Sequence, residues 1–398
     1  MSDSPPFSQR TNWSLSPNPL ITLFTELKTQ QTEILNLTES NPTVCDFQYP
    51  SEDILRPLAQ KINLHYTPDP KGNLVARKAI SNDFQRKGFD IPTERIFLTA
   101  STSEAYGYLF RLLANPKDRM LFPQPSYPLF QFLGDLNDLA LDFYSLRYEG
   151  SWGIDMSFFK KLLTEKTKAI LCVNPNNPTG SFVKKREQEV LNDICMKRKL
   201  SIISDEVFWD FSLTEDPQRV SFIGNKDVLT FTLGGLSKTL ALPQMKLSWI
   251  IINGPDPLVK EAMARLEMIA DTYLSVNTPT QNALKDWLAI KDKIQDQVLS
   301  RLKENLDYLD SQLKELKDPS FCRRLEVEGG WYAVLKIPDH FSEEEWALKF
   351  LKEDQVFIHP GYFFDFPKEA YIVVSLLISP KIFAEGLSRI LKKIFLMK

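Results

Sequence analysis

Between residues 95 and 253 short apolar runs alternate with longer segments of helical period. The runs read R-I-F-L-T, M-L-F, L-D-F-Y-S-L, A-I-L-C-V, L-S-I-I-S, V-L-T-F-T and K-L-S-W-I-I-I. Most are continuously apolar instead of alternating, which is the pattern of strands covered on both faces. Parallel strands need long crossovers, and the helical segments between the runs supply them. These features predict an α/β fold whose large domain carries a mostly parallel seven-stranded sheet flanked by helices.

The pattern changes after Asp256. Residues 256–317 are helical in character, rich in Leu, Lys, Glu and Gln, and interrupted by S-V-N-T-P-T at 275–280. Strand-like W-Y-A-V-L-K-I, helix-like E-E-E-W-A-L-K-F-L, strand-like Y-I-V-V-S-L-L and an amphipathic helix over 380–396 follow. This mixture predicts a smaller α+β domain, with a helical stretch at 19–30 packed on it. The expected division is an N-terminal segment 1–44 packing with the small domain, a large domain 45–285 and a small domain 286–398.

Composition narrows the chemistry. The 398 residues hold 48 Lys and Arg against 51 Asp and Glu, a net charge of −3 with no blocky tail, so no nucleic-acid partner is expected. The opening MSDSPPFSQR lacks the basic and apolar regions of an export leader, and no apolar run approaches the roughly 18 residues that span a bilayer. The expectation is a cytoplasmic protein with no membrane partner. Four cysteines share no C-x-x-C spacing and there are only three histidines, so buried free thiols and no metal centre are expected. Glycine is scarce: average usage of about 7% would give about 28, and the chain has 15. Neither G-x-G-x-x-G nor G-x-x-x-x-G-K-[ST] occurs, which argues against dinucleotide-fingerprint and P-loop chemistry.

Three motifs carry the chemical signal. A-I-L-C-V-N-P-N-N-P-T-G ends at Gly180; I-I-S-D-E-V brings Asp205 twenty-five residues later; G-G-L-S-K spans Gly234 to Lys238. Each follows a predicted strand. Ligands of open α/β sheets bind outside the carboxyl ends of the strands, so an Asn, an Asp and a Lys delivered there can converge on one ligand. Taken singly they read as a turn, a cap and a solvated side chain; their joint order argues otherwise.

That order resembles the fold-type I pyridoxal-phosphate-dependent enzymes, specifically the class I/II aminotransferase family, over nearly the whole chain. The resemblance implies that Lys238 forms the Schiff base with pyridoxal 5′-phosphate, Asp205 pairs with its ring nitrogen and Asn177 bonds its phenolic oxygen. A carboxylate beside the ring nitrogen keeps it protonated and makes the ring an electron sink. Ser101 and Thr102, in L-T-A-S-T-S-E-A-Y, match the turn that cradles the phosphate at a helix N-terminus; an ordinary N-cap is the alternative. Tyr127 in P-Q-P-S-Y-P matches an aromatic stacked on the ring, and Ser237 is counted among the cofactor contacts. Tyr66 in H-Y-T-P-D-P-K-G matches a tyrosine that reaches the neighbouring subunit's phosphate, which implies a homodimer. Asn41 in N-L-T-E-S-N-P-T falls where the family lines the substrate side.

Four positions depart from the family. Eight residues after Lys238, where an arginine usually grips the phosphate, stands Lys246, which keeps the charge and loses the bidentate fork. Three residues before Lys238 a frequent Ser or Thr is Gly235, and three residues after Asp205 the usual Tyr is Phe208. Near the C-terminus the arginine that grips the substrate α-carboxylate is replaced by Val373 in Y-I-V-V-S-L-L. Losing such a pair costs about 2–5 kcal/mol of recognition if nothing replaces it. Either another cation binds the carboxylate, with His359 in F-I-H-P-G-Y a candidate, or the substrate lacks one, or the pocket holds cofactor without turnover.

The leading expectation is a ping-pong aminotransferase taking an amino donor and a 2-oxo acid acceptor. A lyase or specialised amine-processing enzyme, and a non-catalytic sensing protein of the same fold, stand as alternatives. Phe208 generates a prediction: removing a donor to an anionic oxygen disfavours the anion. Phe208→Tyr is therefore expected to lower the pH at which the absorbance of the lysine-bound cofactor changes. A titration midpoint that does not move would contradict this.

Overall fold

The computed structural model describes residues 6–316, 318, 321–368 and 370–397. Residues 1–5, which open the segment read for a leader, and Lys317, the last residue of the predicted helical region, lie outside the described residues. In chain order the strands are Leu35–Asn36 (β1), Ile96–Thr99 (β2), Arg119–Gln124 (β3), Ala140–Tyr148 (β4), Trp152–Ile154 (β5), Thr167–Val173 (β6), Ser201–Asp205 (β7), Thr230–Gly235 (β8), Ser248–Asn253 (β9), Arg323–Arg324 (β10), Tyr332–Lys336 (β11), Val356–Phe357 (β12), His359–Pro360 (β13) and Tyr371–Ser375 (β14).

The large sheet has the order β2-β9-β8-β7-β6-β3-β4-β5. All seven predicted strands are in it. The eighth, β5, is a three-residue hairpin partner of β4 at the sheet edge, too short to leave a periodic signature. Strands β4, β3, β6, β7 and β8 run parallel, while β9 is antiparallel to both β8 and β2. Strand β2 therefore points the same way as β8. Helices Thr102–Leu113 and Asp256–Tyr273 cover one face through Tyr106, Leu109, Val259 and Leu266 against Phe97, Leu171, Ile203 and Ile250. Helix Lys185–Arg198 covers the other through Leu191, Ile194 and Cys195 against Ile170, Cys172 and Ile202. Residues one apart on a strand face opposite sides, so both faces being covered explains why the runs read as continuously apolar.

The helical region breaks near residues 275–280 as expected, and again between Ala289 and Asp292. No glycine or proline marks the second break. Lys291 lies in it and reaches the buried Asp83 carboxylate at 2.6 Å, a tertiary contact that local periodicity does not report. The second sheet has the order β10-β11-β14-β13, all antiparallel. Helix Pro19–Thr29 packs on helix Glu343–Asp354, β1 pairs in parallel with β12, and Phe24 stacks on Phe357 at 4.2 Å. All four cysteines are buried and unpaired. Among the described residues no helix is long and apolar enough to cross a membrane.

The strand directions position the site. The carboxyl ends of β2, β3, β6, β7 and β8 lie along one edge, and the start of β9 joins them. The loop after β6 closes against residues 327–330 at Gly180, whose φ is +72°. A Cβ there would sit 2.4 Å from the Gly329 carbonyl oxygen and 2.5 Å from Val327 Cγ2. Backbone on one side and left-handed φ on the other leave an alanine no relief. Gly180→Ala is expected to destabilise the fold by about 1–3 kcal/mol, read as a lower urea midpoint at unchanged slope. An unchanged midpoint would show that the loop yields.

Candidate active site

The first strand end, β2, leads into helix Thr102–Leu113. Ser101 caps it, its Oγ accepting the Glu104 amide at 3.1 Å. The Glu104 carboxylate turns back to accept the Ala100 amide at 2.7 Å and the Ser275 hydroxyl at 2.6 Å. The first-turn amides of Thr102 and Ser103 have no carbonyl behind them in the helix, so this end presents donors and a positive dipole.

One turn further, the Tyr106 hydroxyl donates to Asp205 Oδ2 at 2.5 Å, at the end of β7. Asp205 Oδ1 accepts the Val207 amide at 3.1 Å. Burial raises the Asp205 carboxyl above its ordinary range, and the two donors with Lys238 work against that rise. Burial, reinforced by the Asp205 charge, holds the Tyr106 hydroxyl well above its ordinary value, so it stays a donor. Phe130 meets Tyr106 edge-on at 5.5 Å and Tyr127 edge-on at 5.7 Å. Tyr127 is thereby set near Asp205 while remaining 36% exposed.

After β6 the loop holds three asparagines with different fates. Asn174 donates to the Val220 carbonyl at 2.8 Å and accepts the Val183 amide at 3.0 Å. Asn176 donates to the Pro125 carbonyl at 3.2 Å and accepts the Thr179 hydroxyl at 2.9 Å. Both are consumed in shaping the loop. Asn177 Oδ1 is buried and without a partner among the described residues.

Lys238 lies in the single turn Leu236–Thr239 that follows β8. Its Nζ stands 4.5 Å from the Trp331 ring centroid and 5.1 Å from that of Phe208. These rings meet edge-on at 5.2 Å. Burial pushes the ammonium down to about 8, with the Asp205 charge partly opposing. The turn is held from behind: Gln295 Nε2 donates to the Thr239 carbonyl at 2.8 Å and the Tyr49 hydroxyl to the Ala241 carbonyl at 2.8 Å. Ser237 sits half-buried beside the lysine.

Lys238, Asp205, Asn177, Tyr127, Phe208, Ser237 and the Ser101–Thr102 helix start thus share one edge of the sheet. Lys246 is exposed and left-handed at φ +50°, two residues before β9. Tyr66 is 71% exposed and makes no hydrogen bond to this group. Asn41 caps the short turn Pro42–Val44, its Oδ1 accepting the Thr43 amide at 3.1 Å and hydroxyl at 2.8 Å. Val373 is completely buried on β14, opposite Val334 and His359, and presents only methyl groups. His359, packed among Phe357, Phe363 and Phe364, is pushed down to about 4 by burial. At neutral pH it is uncharged, so it does not supply the cation that the sequence reading allowed it.

Three residues went unremarked in the sequence. Tyr106 was quoted in a motif without a role, although helical spacing from Thr102 puts it on the same face. Trp331 and Tyr332 follow the glycine pair in G-G-W-Y, a signal that was available. Tyr332 packs edge-on to Phe364 at 6.1 Å, and burial pushes its hydroxyl up to about 12. Among the described residues no group of three or more His, Cys, Asp or Glu is arranged to hold a metal ion.

Comparison with known proteins gives the family and the fold. The family described as aminotransferase class I and II matches residues 32–388. The chain is 28% identical over 357 residues to glutamate-pyruvate aminotransferase AlaA of Escherichia coli K12, covering 88% of this chain and 87% of that one. It is 27% identical over 355 residues to the alanine aminotransferase of Mycobacterium tuberculosis H37Rv, covering 86% and 81%. The solved structure of an alanine aminotransferase from Pyrococcus furiosus superposes with a TM-score of 0.87 at 27% identity, covering 98% of this chain and 99% of that one.

The half-buried lysine generates a prediction. Labelling of Lys238 by an amine-reactive reagent, followed by peptide mass against pH, is expected to show a midpoint near 8 instead of 10.5. Asp205→Asn removes the charge that supports the ammonium and is expected to move the midpoint lower still. A midpoint above 10 in the wild-type chain would contradict the burial argument.

Proposed function

The chain belongs to the class I and II aminotransferase family, and on that premise we propose that it binds pyridoxal 5′-phosphate at the carboxyl edge of the large sheet, with Lys238 as the covalent partner. It is an enzyme, and it transfers amino groups. The observation that carries the cofactor reading is the pairing of a half-buried Lys238 with the buried Asp205 on adjacent strand ends, with Asn177 Oδ1 unpartnered on the next.

The residues present fit such a group. Asp205, oriented by Tyr106 and Val207, would hold the ring nitrogen. Asn177 would bond the phenolic oxygen, Tyr127 would cover the ring, and the Ser101–Thr102 helix start, with Ser237 and Lys246, would hold the phosphate. When bound, the cofactor supplies an electron sink that acidifies the hydrogen on the donor's amine-bearing carbon. As a free amine, Lys238 Nζ would be placed to take that proton and return it. With its pKa near 8, about a tenth of the free lysine is neutral at pH 7, against roughly one part in 3,000 for an ordinary lysine. Phe208 and Trp331 give the free side chain an apolar resting place and keep water from it.

The same reading divides the chain into segment 1–44, a large domain 45–285 and a small domain 286–398, supported by the β1–β12 pairing and by Phe24 on Phe357. Exposed apolar side chains at Ile62, Leu64 and Tyr66 support a homodimer in which Tyr66 reaches the neighbouring phosphate. The relatives named for alanine, and for glutamate with pyruvate, make α-amino acids the first donors to test. The apolar Val373 and neutral His359 make carboxylate-free amines the second set.

A panel of both, added to the cofactor-loaded chain, is expected to convert the cofactor to its aminated form with release of a keto acid or aldehyde. Lys238→Ala is expected to slow this by at least 100-fold. Release of ammonia with no aminated cofactor would overturn transamination in favour of elimination.

A further inference from the structure

The hydrogen-bond register of the large sheet brings Ser248, the first residue of β9, between two functional strand ends. It pairs with Thr99 of β2 on one side and Gly235 of β8 on the other. Thr99 lies two residues before the helix cap Ser101; Gly235 lies three before Lys238. Cross-strand partners share a sheet face. Residues two apart on a strand share it as well, so Ser248 faces the same side as Phe97, Leu233 and Ile250. Helix Thr102–Leu113 packs on that face, with its amide-rich start at the edge where Ser248 stands.

Ser248 is only 3% exposed; its hydroxyl has no hydrogen-bond partner among the described residues and keeps a little accessible surface. An unpartnered hydroxyl in a residue so nearly buried, with its oxygen still accessible, is free to donate to a ligand at that edge. Its position relative to Gly235 is specific: a Cβ built on Gly235 would lie 2.4 Å from Ser248 Oγ and 3.0 Å from Ser248 Cβ. The Ser248 side chain therefore fills the volume that a side chain at 235 would need. A side chain at 235 would have to displace the Ser248 side chain.

The geometry points to Ser248 as a phosphate ligand: its Oγ–H donates to a phosphate oxygen held at the start of helix Thr102–Leu113, in place of a hydroxyl at position 235. This rests on the cofactor reading above. It explains how the turn before Lys238 dispenses with a hydroxyl: the donor has moved to the neighbouring strand and points into the same volume. Lys246, two residues earlier, adds charge to that end of the sheet.

The test is equilibrium titration of the cofactor-free chain with pyridoxal 5′-phosphate and, separately, with pyridoxal, which lacks the phosphate. Ser248→Ala is expected to weaken pyridoxal 5′-phosphate binding about tenfold and to leave pyridoxal within twofold. Gly235→Ser alone is expected to lower the thermal midpoint through its collision with Ser248. The exchange variant Gly235→Ser with Ser248→Gly is expected to restore both that midpoint and phosphate-dependent binding to within about threefold of wild type. Wild-type binding retained by Ser248→Ala, or an equal loss for both ligands, would overturn the assignment while leaving the cofactor reading intact. Failure of the wild-type chain to bind either ligand would overturn both.

Discussion

Setting a half-buried lysine beside a buried aspartate at one sheet edge is the constraint around which the site is built. Desolvation disfavours the charged form of each, driving Lys238 down and Asp205 up. Each is partly sustained by the other, and the rest of the edge sustains them further. Tyr106 and the Val207 amide hold the carboxylate; the faces of Trp331 and Phe208 favour the ammonium without offering it an acceptor. The result is a lysine poised near neutrality and a carboxylate oriented for a cation, with an unpartnered amide oxygen on the next strand. Such an arrangement is costly in an empty pocket and favourable around a ligand that takes up all three.

The departures from the family share one physical direction. Phe208 removes a hydroxyl, Val373 removes a guanidinium, and His359 is kept neutral by its aromatic neighbours. Val373 and the neutral His359 make the substrate side less polar than the family pattern implies, while Phe208 and Gly235 each remove a hydroxyl that the pattern turns toward the cofactor. The phosphate end is rearranged and not stripped: Lys246 keeps a charge, and Ser248 occupies the space beside Gly235.

Much of the architecture was legible because both faces of the large sheet are covered, which leaves uninterrupted apolar runs. The motifs at the ends of β6, β7 and β8 were legible because each chemical residue follows directly on such a run. What escaped notice depends on contacts between distant segments. The break between Ala289 and Asp292 places Lys291 against Asp83, 208 residues away. Strand β5 exists only as a partner of β4. Tyr106 acquires its role from Asp205, 99 residues later. The juxtaposition of Gly235 and Ser248 is a fact of register, and no reading of one strand at a time reveals which residues lie opposite.

The most direct measurement is borohydride reduction of the chain after incubation with pyridoxal 5′-phosphate, followed by peptide mapping by mass spectrometry. The account predicts one dominant reduced adduct, on Lys238, and its near-complete loss in Asp205→Asn at limiting cofactor. An adduct spread over exposed lysines, or a dominant one at any other residue, would contradict it.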